Sequence, residues 1–221
     1  MALPPFATLA NAPTASLDRL ALSIAVELRG RVEVDGTIDE LDRLGLELAA
    51  AVDGAGGDPE QEATAVTELL GDTYGFEGED DEYDHPDNSM LDLVVARRSG
   101  LPILLSTVYV EVARRARVKL HGVGLPGHFV VGHFGATPPI LLDPFAGGGR
   151  VDARVEPAAL RPWSAHETAL RMLNNLVGSY ERRGDIGRAI RAAELRLLLP
   201  ASAGLRDELE LGLKSIRARL N

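Results

Sequence analysis

The sequence contains no cysteine among its 221 residues, and this absence excludes several classes of protein at once. A disulfide framework, a thiolate metal site, an iron–sulfur cluster and a cysteine nucleophile are ruled out, because each requires a thiol. No apolar run approaches the roughly 18–20 residues that a membrane-spanning helix requires. The first residues also lack the early Lys or Arg of a signal peptide. We therefore expect a cytoplasmic protein with no membrane partner.

The composition is that of an ordinary globular protein, with 45 % hydrophobic and 25 % charged residues, but the net charge of −10 is unevenly distributed. Residues 1–92 contain 22 Asp and Glu against 4 Arg, whereas residues 93–221 contain 11 Asp and Glu against 19 Lys and Arg. The two parts are expected to complement each other; a basic surface for an anionic partner is the alternative. Because the basic residues are interleaved with acids and form no block, no nucleic-acid partner is expected.

Hydrophobic periodicity predicts helices in the first and last parts of the chain and a small antiparallel sheet between them, which is an α+β fold. The helix that starts at Pro102 carries an apolar stripe wide enough to be the buried centre of the domain. Glycine-punctuated, β-branched runs follow it and predict strands packed against that helix. The helices are predicted at 16–29, 38–52, 60–70, 90–98, 102–117, 157–161, 165–183, 186–199 and 203–219, and the strands at 121–134, 138–149 and, as an option, 150–155.

Three local features complete this prediction. Residues 1–14 are rich in Pro, Ala and Thr and are expected to be irregular. Thr37, with Glu40 three residues later, has the pattern of a capping box that would begin the second helix. Residues 71–89 are predicted to be a solvated loop, with seven acids between Glu77 and Asp87 but without the spacing of a calcium loop. Because this loop leads into the central helix, we expect it to cover any cleft there.

One histidine and one aspartate stand out at the predicted hairpin. His128, in the motif PGHF, enters one strand, and Asp143, in LDPF, leaves the next. If the register is favourable, the carboxylate bonds one imidazole nitrogen, which is the general-base half of a nucleophilic triad. A purely structural hydrogen bond is the alternative. His133 is expected on the opposite face of the strand, so the two histidines predict no metal site.

Three motifs together resemble the bacterial SirB-type proteins, which have a transglutaminase-like core. They are DHPDNSMLDLVVARRSGLPILLSTVYVEVARRARV, GVGLPGHFVV and LLDPFAGG, and they lie between Phe76 and Gly149. The resemblance implies a papain-like fold in which a central helix packs against an antiparallel sheet. It also implies that His128 and Asp143 match the catalytic His and Asp of the wider superfamily, whose Cys begins the central helix.

The position that the resemblance implies for this Cys falls near Leu101 to Ile103, where the chain has Leu, Pro and Ile. Without the thiol, transglutaminase and cysteine-protease chemistry are excluded. A hydroxyl is the remaining option, from Ser106 one turn further into the helix or from Ser99 just before it. A serine inside a helix usually bonds a preceding carbonyl of that helix, so we expect Ser106 to be satisfied locally, with a nucleophilic role as the alternative.

The C-terminal segment LNNLVGSYERRGDIGRAIRAAELRLLLP resembles a tetratricopeptide unit, with Leu176, Tyr180, Ala189 and Pro200 close to that spacing. Only one repeat is readable, and an array needs about three to be stable alone. The tail is therefore expected to dock on the core. The predicted regions are an N-terminal helical region at 1–75, a transglutaminase-like core at 76–155 and tetratricopeptide-like helices at 156–221.

These features favour a non-catalytic binding or regulatory protein with a peptide or protein ligand in a cleft at His128. A hydrolase or acyltransferase that pairs Ser106, Ser99 or an activated water with His128 and Asp143 is the second hypothesis. A structural or assembly role of the helical tail, through an exposed apolar patch, is the third. No cofactor and no metal ion are expected, and the sequence leaves the oligomeric state open.

Overall fold

The structure is a computed structural model that describes residues 3–79, 81–151 and 160–219. It confirms the predicted α+β class, with helices before and after a small antiparallel sheet. None of the helices in these ranges is both long enough and apolar enough to cross a membrane. The helices are α1 (Phe6–Ala10), α2 (Leu17–Arg29), α3 (Val34–Val52), α4 (Pro59–Val66), α5 (Leu91–Arg97), α6 (Pro102–Arg115), α7 (Ala165–Arg182), α8 (Ile186–Arg196) and α9 (Ala203–Ala218), and the strands are β1 (Glu77–Gly78), β2 (Ser99–Gly100), β3 (Leu120–Leu125), β4 (His128–His133), β5 (Ile140–Asp143) and β6 (Gly149–Arg150).

The larger sheet consists of four antiparallel strands in the order β3-β4-β5-β6. A tight turn joins β3 to β4, so that Leu125 lies opposite His128. Gly127 in this turn has a φ of +74°, which glycine adopts without the steric cost of a Cβ. In the next pair Val131 lies opposite Leu142. This register brings the start of β4 and the end of β5 to the same end of the sheet.

The central helix α6 is buried along the predicted stripe. Leu104, Leu105, Val108 and Val112 are fully inaccessible to solvent, because α6 lies between the sheet and the helices α2 and α3. Its buried side chains belong to one continuous core that includes residues from the first and last helices as well. A smaller cluster of Val123, Val130 and Leu141 forms on the sheet apart from that core.

Ion pairs join the acidic first part of the chain to the more basic second part. Arg115 of α6 donates to Asp18 at 2.7 Å and to Asp42 at 2.5 Å. Arg191 of α8 donates to Glu27 of α2 at 2.5 Å. The uneven charge of the sequence therefore contributes to internal contacts, as the first of the two interpretations predicted.

Two helix starts differ from the prediction. The first residues are not irregular throughout, because α1 forms at Phe6, whose ring is fully buried. Thr37 does not cap the second helix, since α3 begins earlier, at Val34. The Thr37 hydroxyl instead donates to the carbonyl of Glu33 at 2.5 Å, inside the helix. The local pattern predicted a helix cap at Thr37, but the helix is longer than predicted and buries this residue.

The acidic segment is more ordered than a solvated loop. It begins in a π-helix, Thr67–Thr73, which continues α4. A Cβ on Gly71 would lie 1.9 Å from the carbonyl oxygen of Gly147, so only glycine allows this close approach. The segment then forms β1, which pairs in parallel with β2, and the 3₁₀ helix Pro86–Ser89. The prediction of a loop was wrong at these elements, because contacts with residues distant in the chain hold them, such as the pairing of β1 with β2.

The last three helices form as predicted, at Ala165–Arg182, Ile186–Arg196 and Ala203–Ala218. A capping box between Ser164 and Glu167 begins α7. Hydrogen bonds from Arg161 lower the pKa of Glu167 to about 2, which keeps this carboxylate charged at the helix N-terminus. The predicted extension of a strand over 151–155 and the predicted helix at 157–161 fall largely on residues outside the described ranges, whereas 160 and 161 are not helical.

Candidate functional site

His128, at the start of β4, and Asp143, at the end of β5, lie next to each other at one end of the sheet. Their atoms Nε2 and Oδ2 are 2.8 Å apart, a short hydrogen bond. The register that the sequence analysis required is therefore present. An Nε2–H that donates to the carboxylate leaves Nδ1 as the acceptor nitrogen of the neutral ring. No hydrogen bond joins that nitrogen to a residue of the described ranges.

The backbone after β5 holds the Asp143 carboxylate in place. Asp143 caps the 3₁₀ helix Pro144–Ala146, because its Oδ1 accepts from the backbone N–H of Phe145 at 3.0 Å. The chain then turns through Gly147 and Gly148, whose φ values are +64° and +82°. The N–H of Gly148 donates back to the carbonyl of Asp143 at 2.8 Å. One carboxylate oxygen is thus fixed by the backbone and the other is presented to the imidazole.

Phe145 of the LDPF motif supports the imidazole from the side. The rings of Phe145 and His128 pack edge to face, with centroids 6.4 Å apart, and Tyr83 packs on Phe145 in the same manner at 6.0 Å. Gly78 makes room for this ring, since a Cβ there would lie 2.4 Å from it. The acidic segment therefore contributes two residues, Gly78 and Tyr83, that sequence reasoning did not assign to the site.

A cleft of about 210 Å³ opens beside His128. Leu101, Pro102 and Ile103, at the start of α6, line it on one side together with Phe129. Residues of α7 also line it, as do Tyr83 and Asp84 of the acidic segment. The side chain of Ser179 in α7 donates to the carbonyl of Asp84, which fixes this part of the lining. The acidic segment thus borders the cleft through Tyr83 and Asp84, and that it covers the cleft stays a prediction.

The structure does not bring either of the two predicted hydroxyls, those of Ser106 and Ser99, to the imidazole. Ser106 is fully buried, and its hydroxyl contacts the carbonyl oxygen of Phe129 at 3.4 Å rather than a preceding carbonyl of its own helix. Ser99 lies in β2 and is not among the described residues that line the cleft. The start of α6 contributes the apolar side chains of Leu101, Pro102 and Ile103 to the lining of the cleft.

A second pair of the same chemical kind lies at the other end of β4. His133 is 1 % exposed, and its Nε2 lies 2.7 Å from Oε2 of Glu62 in α4. Its Nδ1 accepts from the backbone N–H of Gly135 at 3.1 Å. Sequence reasoning missed this pair because its members are 71 residues apart and no motif joins them. Over the described ranges, no group of three or more His, Asp and Glu side chains is arranged to hold a metal ion.

A buried phenol lies behind the His128 pair. The hydroxyl of Tyr109 in α6 is inaccessible to solvent and has no hydrogen-bond partner among the described residues. Burial, together with the negative charges of Asp72 and Asp143, raises the pKa of Tyr109. The phenol therefore stays neutral and places no further charge behind the Asp143 carboxylate.

Comparison with protein families identifies the fold that carries this site. The family model described as the Transglutaminase-like superfamily matches residues 35–174, from α3 into α7, and contains both His128 and Asp143. Because this match covers more than half of the 221 residues, the chain belongs to the transglutaminase-like superfamily.

Several curated proteins are similar to the chain. A UPF0162 protein of Xylella fastidiosa (strain 9a5c) is 35 % identical over 68 % of this chain and 62 % of its own length. A UPF0162 protein of Pseudomonas aeruginosa is 34 % identical over 63 % of this chain and 50 % of its own length. F-box only protein 21 of Mus musculus is 29 % identical over 54 % of this chain and 22 % of its own length. The chain thus spans less than two thirds of the length of each. No solved structure matches it.

Proposed function

We propose that this member of the transglutaminase-like superfamily is a non-catalytic binding protein whose ligand occupies the cleft at His128. The observation that carries the proposal is the composition of the cleft. The His128–Asp143 pair is complete, with 2.8 Å between Nε2 and Oδ2, yet the start of α6, which lines the same cleft, presents Leu101, Pro102 and Ile103. None of these side chains can attack a carbonyl carbon or form an acyl intermediate.

The buried serine supports the same proposal. A nucleophile must reach the general base and the substrate from one position. The hydroxyl of Ser106 is closed off from solvent and lies against the carbonyl of Phe129. A cleft that combines apolar side chains with an imidazole nitrogen that has no partner among the described residues instead suits a site that holds a ligand and orients it by polar contacts.

The cleft also offers a more plausible ligand site than the tail. The described residues of α7, α8 and the turns around them expose one large apolar side chain, Leu198 at 40 %, and α9 exposes Leu211 at 65 %. Single exposed leucines are common on protein surfaces and do not identify an interface. A role of the tail in assembly therefore has less support than a ligand in the cleft.

The test is a combined binding and turnover experiment on the full chain. The ¹⁵N-labelled protein is titrated with a pool of N-acetylated tripeptides, each present as the free acid and as the amide. We expect amide shifts at Phe129 and Gly178, which line the cleft. After a day of incubation, mass spectra should show every peptide intact, because the start of α6 offers no nucleophile to the His128–Asp143 pair.

His128→Ala should abolish the shift changes, whereas His121→Ala, an exposed histidine of β3 outside the cleft, should leave them unchanged. Shift changes that survive His128→Ala would place the ligand elsewhere. Cleaved or transferred peptides whose formation requires His128 would show that the protein is an enzyme and would overturn the proposal.

A hydrolase is the second candidate, and the unpartnered Nδ1 of His128 favours it. A water in the cleft could donate to this nitrogen and be activated by it, with Asp143 stabilising the imidazolium. Hydrolysis of p-nitrophenyl acetate distinguishes the options. Loss of turnover in His128→Ala but not in Ser106→Ala indicates an activated water, and loss in both indicates that Ser106 is the nucleophile. Turnover that is unchanged in both variants contradicts this candidate.

We also propose a finer family assignment, to the SirB-type proteins with a tetratricopeptide-like tail. Its support is the adjacent packing of α7 and α8, with Tyr180 and Ala189 buried near their turn. Gly184 has a φ of +73° in that turn. The test is deletion of residues 186–221, which should destabilise the core if the tail docks on it as a single unit. A core that unfolds at an unchanged denaturant concentration would contradict this docking.

A further inference from the structure

Two arginines of α7 line the cleft at His128, and their charges are in different states. Arg182 donates to Oδ1 of Asp84 at 2.6 Å, so its charge is compensated. Arg171 lies three turns earlier on the same helix and is half-buried. Within the described ranges it has neither a hydrogen-bond nor an ion-pair partner. Among the described residues that line the cleft, Arg171 therefore carries an uncompensated positive charge, in a protein whose net charge is −10.

An amide side chain stands one turn from this arginine. Asn175 follows Arg171 by four residues, so both project from one face of α7. Asn175 also lines the cleft and has no hydrogen-bond partner among the described residues. An asparagine offers both a donor and an acceptor, which is the pattern that a peptide group requires. Arg171 and Asn175 together can bind a charged group and an adjacent peptide bond.

The apolar lining and the volume of the cleft limit the size and the chemistry of the rest of the ligand. Leu101, Ile103 and Phe129 are all at least nine-tenths buried and apolar. The volume of about 210 Å³ is below the range of roughly 300–1,000 Å³ of most small-molecule sites. The cleft therefore suits one or two residues of a peptide, with an apolar side chain on the wall formed by the start of α6, rather than a nucleotide or another large cofactor.

The amount of charge distinguishes a carboxylate from a phosphate. A phosphate ester carries about −1.5 to −2 at neutral pH and is commonly bound by several cations. Among the described residues that line the cleft, one guanidinium, that of Arg171, is uncompensated, and the Asp84 carboxylate lines the same cleft. A single negative charge matches this balance. Arginine also presents two parallel N–H groups, which fit the two oxygens of a carboxylate.

We infer that the cleft selects a short peptide segment that carries a free carboxylate, with Arg171 as the residue that recognises it. This inference rests on the proposed function, since it names the ligand class of the same cleft. Arg171 binds the carboxylate, Asn175 bonds the neighbouring peptide group, and Nδ1 of His128 accepts from an N–H of the ligand. The carboxylate is that of a chain end or of an acidic side chain.

The experiment compares three probes on the full chain by heteronuclear NMR titration at low salt. They are N-acetyl-alanyl-leucine as the free acid, the same dipeptide as its amide, and N-acetyl-glutamyl-leucine amide. The acid should bind at least fivefold more tightly than the first amide, and this preference should fall as salt screens the charge. Tighter binding of the glutamyl amide than of the free acid would assign the carboxylate to a side chain, and the reverse order to a chain end.

Substitutions then test the residue. Arg171→Gln should remove the preference of acid over amide while the amide still binds, and Arg171→Lys should retain part of it because the charge remains. Arg183→Gln is the matched control, since Arg183 directly follows the same helix, its side chain has no partner among the described residues and it lines a different pocket. Circular dichroism confirms that each variant is folded.

Two outcomes overturn the inference in different ways. Equal affinity of wild-type protein for the acid and the amide, or a preference that persists in both Arg171 variants, contradicts recognition of a carboxylate but leaves a binding cleft. Failure of all three probes and of the tripeptide pool to bind contradicts the proposed function itself, and the inference with it.

Discussion

Strand β4 carries two histidine–carboxylate pairs, one at each end, and they differ in how completely the histidine is used. At His133 both ring nitrogens have partners, Glu62 and the N–H of Gly135, and the side chain is 1 % exposed. At His128, Asp143 bonds Nε2, the other ring nitrogen has no partner among the described residues, and the side chain is 33 % exposed beside the cleft. We call His133–Glu62 the closed pair, because both imidazole nitrogens have partners, and His128–Asp143 the open pair.

This difference indicates what each pair does. A buried imidazole with both nitrogens satisfied can contribute to stability, because removing it leaves buried polar groups without partners. A half-exposed imidazole with a free acceptor nitrogen contributes less to stability and can meet a ligand. Proximity of a histidine to a carboxylate therefore does not identify a functional site; the state of the second nitrogen does.

The largest expected effect tests the closed pair. His133→Ala should lower the free energy of unfolding by about 3 kcal/mol, because it creates a cavity and leaves Glu62 and the N–H of Gly135 unpaired. Urea unfolding followed by circular dichroism measures this loss. Glu62→Gln, which keeps an acceptor for Nε2–H, should cost about 1 kcal/mol. A loss below 1 kcal/mol for His133→Ala would mean that this pair is not structural.

The second effect tests the support of the open pair. In Gly71→Ala the new Cβ would lie 1.9 Å from the carbonyl oxygen of Gly147, so the turn that follows Asp143 must move. We expect a loss of about 2 kcal/mol in stability, the cost of overpacking, together with altered shifts at His128. Gly36→Ala is the control, since nothing lies within 4 Å of its Cβ and an alanine inside α3 should stabilise slightly. Equal effects of the two substitutions would contradict the close packing at Gly71.

The third effect tests whether the open imidazole can still act on a thiol. Ile103→Cys places a cysteine in the first turn of α6, beside the cleft that His128 lines. A neighbouring imidazolium lowers the pKa of a thiol and raises its reactivity. Alkylation by iodoacetamide at neutral pH should therefore be about tenfold slower when His128→Ala is added, which corresponds to about 1.4 kcal/mol. Ser99→Cys, outside the described cleft lining, serves as the control and should not respond to His128. The same alkylation rate for Ile103→Cys with and without His128 would show that the two positions are not coupled.

The smallest effect completes the comparison. His128→Ala should change the free energy of unfolding by less than about 1 kcal/mol, because a partly exposed pair is screened by solvent. The same denaturation experiment measures it beside His133→Ala. If His128→Ala destabilises the protein as much as His133→Ala does, the open pair is also structural and the contrast between the two ends of β4 disappears.

Periodicity and caps were sufficient to predict α6 to α9 and the hairpin, since these elements have strong apolar stripes and clear breaks at Gly184 and Pro200. They were insufficient for the π-helix and β1. These elements depend on the close approach of Gly71 to the backbone of Gly147 and of Gly78 to the ring of Phe145. A pattern within one segment does not record such contacts.

The candidate site, like the fold, was predictable only in part. The motifs identified His128 and Asp143, but whether they meet depends on the register of β4 and β5. Glu62 and Arg171 were missed, because each reaches its position through helix packing over long separations in the chain. The hydroxyl of Ser106 turned to the neighbouring strand rather than to its own helix, a choice that only the packing of α6 on β4 decides.

The central claim is that the open pair, and not the closed one, meets a ligand. The most direct measurement is a titration of ¹⁵N-histidine-labelled protein with N-acetyl-alanyl-leucine, in which the imidazole nitrogens of both residues are followed. We expect the Nδ1 resonance of His128 to shift until it saturates, while the resonances of both His133 nitrogens do not shift. A His128 resonance that does not move at saturating peptide, or a response confined to His133, would contradict it.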